Sequence, residues 1–145
     1  MQRRLLWVVP LLIGLGMACS DSTGVTQTDL VGSWNATEFV FSDFGDPVTD
    51  FDVLAGGGAV KFTFGADGSF TIVFTMPMSA PDTTGGTWVL QGSNRLIITD
   101  EGAIDGSELQ ISLSGTTLTV YSDDVEFDFG AGDIPAQLDA TFVKQ

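Results

Sequence analysis

The chain has 145 residues, 43% of them apolar, and a formal net charge of −14 from 19 acidic and 5 basic side chains. So acidic a surface repels phosphate backbones, which excludes nucleic acid as a partner. With no histidine and a single cysteine, the usual ligands of zinc, copper and haem are missing, as are Ser-His-Asp and Cys-His nucleophile systems; no cofactor is expected.

Met1-Gln2-Arg3-Arg4 is a positive start, and Leu5 to Leu15 is an apolar stretch short for a bilayer. Gly16-Met17-Ala18-Cys19 closes it. This arrangement describes an export signal, and the cysteine at its end resembles the lipobox of bacterial lipoproteins. The resemblance implies that residues 1–18 are removed and that Cys19 takes a diacylglyceryl group at the head of the mature chain. It also implies a bacterial cell envelope location, with Ser20 suiting outer-membrane sorting. No later apolar run is long enough to cross a membrane, so acyl chains are expected to hold the remainder at the membrane surface. Ser20 to Asp29 is small and polar, reads as a flexible tether, and leaves residues 30–145 as one domain.

From Leu30 the pattern becomes that of strands. Leu30 to Phe41 forms a long first strand. Asp50-Phe51-Asp52-Val53-Leu54 is expected to make a single helical turn capped by Asp50. Ala59 to Phe64 and Ser69 to Met76 alternate apolar and polar residues around Gly65-Ala66-Asp67-Gly68. Asp-Gly tolerates the positive φ of a tight hairpin. Further strands are expected over Gly86 to Gln91, Arg95 to Thr99, Glu108 to Leu113, Thr116 to Tyr121, Val125 to Phe129 and Gln137 to Val143. Short turns exclude the crossovers that parallel strands need. The result is an all-β antiparallel meander, and a sheet this large with one apolar face closes into an up-and-down barrel of about eight to nine strands.

Gly32-Ser33-Trp34 at the start of the first strand resembles the Gly-x-Trp signature of lipocalins. Gly86-Thr87-Trp88 midway and Ala140-Thr141-Phe142-Val143-Lys144 at the close extend the likeness to small bacterial lipocalin-like lipoproteins. The resemblance implies a barrel whose base is closed by Trp34, with Gly32 letting the chain approach closely. The last strand has no arginine to lie over that tryptophan. It also implies that the long connection between the first two barrel strands, Asp43 to Gly58, is a lid, with Gly56-Gly57-Gly58 as hinge.

An eight-stranded barrel is either filled by its side chains or just wide enough for one small ligand. The inward set is expected to be Trp34, Val60, Phe62, Phe70, Ile72, Phe74, Trp88, Leu109, Ile111, Leu118, Val120 and Phe127, the candidate ligand contacts. The favoured reading is a non-catalytic, lipid-anchored barrel carrying a small hydrophobic molecule of lipid, isoprenoid or pigment type. The alternative is a packed interaction barrel displaying acidic loops, Asp43-Asp46-Asp50-Asp52 and Asp123-Asp124-Glu126-Asp128, that bind calcium through flexible carboxylates. Third is an enzyme using the pair Glu126 and Asp128.

Overall fold

The computed structural model describes residues 24–45 and 50–145. The leader and Cys19 lie outside the described residues. Ordered structure begins earlier than the composition suggests. Val25 is buried and its amide donates to the Ser93 carbonyl, and Thr26 caps the single-turn helix α1 (Gln27–Leu30). The cap is reciprocal: the Thr26 hydroxyl accepts from the Asp29 amide, and the Asp29 carboxylate accepts from the Thr26 amide at 2.9 Å. Two orphan helix donors are thereby satisfied, so the tether expected through Asp29 gives way to packed chain from Gly24 onward.

Nine strands follow: β1 (Gly32–Asp43), β2 (Asp50–Asp52), β3 (Ala59–Phe64), β4 (Ser69–Thr75), β5 (Asp82–Gln91), β6 (Arg95–Asp100), β7 (Ser107–Ser114), β8 (Thr117–Asp128) and β9 (Asp133–Lys144). From β3 to β9 each strand pairs antiparallel with the next, and β9 returns to β1 through Trp34↔Lys144 to Asp43↔Ala136. With β1 also pairing β3 (Gly32↔Phe64 to Asn35↔Lys61), the sheet closes as an eight-stranded barrel. The antiparallel meander is borne out, and closure removes the exposed edges an open sheet would carry.

The strand count agrees with expectation, but its members differ. The two strands read over Thr116–Tyr121 and Val125–Phe129 are one, β8, interrupted by a bulge between Ser122 and Val125. The ninth strand is β2, which lies against Val40–Ser42 of β1 where β3 no longer reaches. It replaces the helical turn expected there. The cap belongs to Asp52 rather than Asp50: its carboxylate accepts from the Leu54 and Ala55 amides at 2.9 and 3.0 Å.

A second bulge, at Thr37 in β1, separates Ala36↔Phe142 from Glu38↔Thr141. Because side chains alternate along a strand, one extra residue reverses which positions face inward. Trp34 points in below the Thr37 bulge, and Phe39 and Phe41 point in above it. In β8, Leu118, Val120 and Ser122 point in before the bulge, and Val125 and Phe127 after it. β9 runs between the two bulged strands with a plain alternation of buried Ala136, Leu138, Ala140 and Phe142.

Candidate ligand-binding site

One end of the barrel is sealed by the residues that open and close the chain. Trp34 is fully buried, and its indole N–H donates to the Leu30 carbonyl at 2.7 Å, which ties α1 under the barrel. Lys144 Nζ stands 5.1 Å from the centre of the Trp34 ring and donates to the Asp29 carbonyl at 2.7 Å. The last strand thus covers the tryptophan with a lysine. Gly32 makes this possible: its φ is +130°, and a β-carbon there would press on Lys144 Cε at 3.1 Å. The hairpin turns join the same seal. Trp88 donates its indole N–H to the Gly65 carbonyl and its amide to the Gly68 carbonyl, while the Lys144 amide reaches the Thr116 carbonyl.

A column of aromatic rings rises from this end. Trp88 meets Phe64 edge-on, Phe64 stacks on Phe62 at 4.2 Å, and Phe62 touches Phe70 and Phe142. Phe142 leads to Phe39, which contacts Phe41 and Phe74. The rings of Trp88, Phe64, Phe70, Phe62 and Phe142 thus fill the lower half of an already narrow barrel, while Phe41, Phe51, Phe127 and Phe129 pair at the other end. In the upper half Gly106 and Ser107 stand among the larger wall residues Phe39, Phe41 and Phe74. There a cavity of about 590 Å³ opens to solvent.

Five of the twelve expected inward residues line that cavity: Phe62, Ile72, Phe74, Leu109 and Val120. Trp34, Val60, Phe70, Trp88, Ile111 and Leu118 are buried in the core but do not line the cavity. Phe127 stands apart, stacked on Phe41 at 4.1 Å and tilted against Phe51 of β2. The wall also includes residues that the sequence reading did not place. Phe39 and Phe41 were concealed by the Thr37 bulge, and Ile98 by the unbroken run Leu96-Ile97-Ile98. Leu138 and Phe142 were open to view in the alternation of β9.

The mouth is acidic. Asp100, Asp105, Asp123, Asp124 and Glu126 contribute to the lining. Asp123 and Asp124 occupy the β8 bulge, which the buried Ser122 hydroxyl fixes by donating to the Glu108 carbonyl at 2.7 Å and accepting from the Asp124 amide at 3.1 Å. β7 and β8 pair only as far as Gln110↔Tyr121, leaving Ser107, Glu108 and Leu109 outside the ladder with β8. A second, polar recess lined by Glu108, Gln110, Ser122, Asp123 and Asp124 sits at this gap.

The segment expected to act as a hinged lid is arranged differently. None of its described residues lines the cavity. The amides of Gly56, Gly57 and Gly58 donate to the carbonyls of Asp52, Leu54 and Val53, which makes a locked turn rather than a hinge. The acid pair proposed for catalysis is divided as well. Asp128 accepts from the Gly130 and Gly132 amides at 2.7 and 2.8 Å, bonds that hold its carboxyl below the usual range. A general acid needs the opposite shift. Among the described residues no three Asp, Glu, Cys or His side chains converge as a metal-binding group; Asp46 of the first acidic cluster lies outside the described residues.

Residues 30–120 match the family model of a lipocalin-like domain. A search of curated proteins returns no match. The matched stretch ends within β8, before the bulge and β9, so closure of the barrel and the acidic mouth are known from the structure itself.

Proposed function

The chain belongs to the lipocalin-like domain family, and on that premise we propose that its barrel binds or carries a small apolar molecule in the open half. The single observation behind this is the division of the interior. The lower half is sealed by Trp34, Lys144 and the aromatic column, whereas the upper half keeps a cavity of about 590 Å³ walled by Phe39, Phe41, Ile72, Phe74 and Leu138. Cavities of a few hundred cubic ångströms with apolar walls and few polar groups are the usual form of small-molecule sites. The role proposed is binding rather than catalysis, in keeping with the lipocalin-like family.

The location proposed with it is the bacterial cell envelope, where Cys19, acylated after removal of residues 1–18, anchors the barrel to the membrane. The leader's charge and apolar pattern support this, as does the lone cysteine at its end. Native mass spectrometry of the full-length protein purified from its own membranes tests both parts. An added apolar mass released on unfolding, together with a diacylglyceryl increment on Cys19, is expected. A bare barrel across preparations would argue against the carrier role, and an unmodified Cys19 against the anchor.

A further inference from the structure

Resting on that ligand-binding reading, we infer that the ligand carries a positive charge on its apolar body: a protonated amine or quaternary ammonium whose cationic end sits at the cavity mouth. The cavity wall includes five carboxylates and no basic side chain. The three basic residues of the described chain are all engaged elsewhere. Lys61 faces solvent from β3, Arg95 forms an exposed ion pair with Glu108, and Lys144 lies over Trp34 at the sealed end. Among the described residues no basic side chain within the site balances the negative field.

That field also has a structural origin. The β8 bulge inserts an extra residue and sets Asp123 and Asp124 side by side at the place where β7 and β8 part. Ser122 fixes the bulge from within. Bulges commonly re-aim side chains beside binding sites. Charges at the rim of a low-dielectric recess focus their field into it, attracting cations and repelling a carboxylate headgroup. Below the rim, Phe39, Phe41 and Phe74 offer aromatic surface suited both to an alkyl body and to an ammonium group.

Isothermal titration of the full chain with three probes of equal chain length tests this: decyltrimethylammonium, decanol and decanoate, each below its micellar concentration. The cation is expected to bind about tenfold or more tightly than the carboxylate at low salt, with decanol between them. Salt at 0.5 M should bring the three together, because the Debye length falls from about 10 Å at 0.1 M toward 3 Å at 1 M. The double variant Asp123→Asn/Asp124→Asn should lose several-fold more affinity for the cation than for decanol. If that variant does not fold, the charge series on the unaltered protein decides alone. Decanoate binding as tightly as the cation would overturn the inference while leaving the pocket intact. Failure of all three probes to bind would remove the ligand-binding role and this inference with it.

Discussion

Truncating one leucine in each half of the barrel tests the division of the interior directly. Leu118 is 0% exposed and lies between Leu113 of β7 and Phe142 of β9. Leu118→Ala leaves an enclosed void in the filled half. Its cost therefore combines the lost transfer free energy with about 24 cal/mol for each Å³ of residual cavity, about 3–5 kcal/mol in all. Leu138 is 8% exposed and lines the cavity, so Leu138→Ala merges with space that already exists. Its cost should lie near the bottom of the leucine range, about 2 kcal/mol. The expected difference is thus about 1–3 kcal/mol, or roughly 4–12 °C in Tm at about 4 °C per kcal/mol for a domain of this size. Urea denaturation of both variants reads it as a difference in midpoint at equal slope. Equal costs, or a dearer Leu138, would refute the picture of a filled lower and hollow upper half.

Three other outcomes are expected. Trp34→Phe removes the indole donor to the buried Leu30 carbonyl and shrinks the aromatic surface under Lys144, and should cost about 2–3 kcal/mol in urea melts; a loss below about 0.5 kcal/mol would mean that the seal is unimportant. Ser122→Ala strips the bulge of both its bonds, leaving the Glu108 carbonyl and Asp124 amide unpartnered, and should cost about 1–3 kcal/mol, against almost nothing for the exposed Ser112→Ala. Acid should also weaken the fold. The Thr26 hydroxyl holds Asp29 below its ordinary 3.8, the Ser69 hydroxyl does the same for Asp67, and the Gly130 amide for Asp128. A carboxyl whose folded value is depressed binds its proton more weakly in the folded state than in the unfolded one. The stabilisation is complete above about pH 5 and is lost as pH falls through the folded values. Asp29→Asn should therefore flatten part of the acid limb of a stability–pH curve, and an unaltered limb would contradict the capping assignment.

The architecture was legible because alternation and turn chemistry agree. Val60, Phe62 and Phe64 oppose Phe70, Ile72 and Phe74 across a Gly-Ala-Asp-Gly turn, and the structure pairs them in that register. The site was less legible, because a period-two pattern places residues correctly only until a bulge resets it. Thr37-Glu38 and Asp123-Asp124 are consecutive polar pairs that interrupt the apolar–polar alternation of their strands. Each marks an inserted residue, after which Phe39 and Phe41, or Val125 and Phe127, turn inward. Taken as ordinary alternation, the first pair concealed two of the five phenylalanines of the wall. Taken as a break between strands, the second concealed the acidic rim. The volume of the interior depends on the sizes of facing residues from several strands at one height, and no local pattern reports that.

Methyl chemical-shift mapping of the full chain titrated with decanol bears most directly on where a ligand sits. Resonances of Ile72, Ile98, Leu109, Val120 and Leu138, which border the cavity, should move with saturation. Those of Leu30, Leu96 and Leu118, buried away from it, should stay in place. Shifts centred on Leu96 and Leu118, or none at any of the eight, would show that the upper half of the barrel is not where small apolar molecules bind.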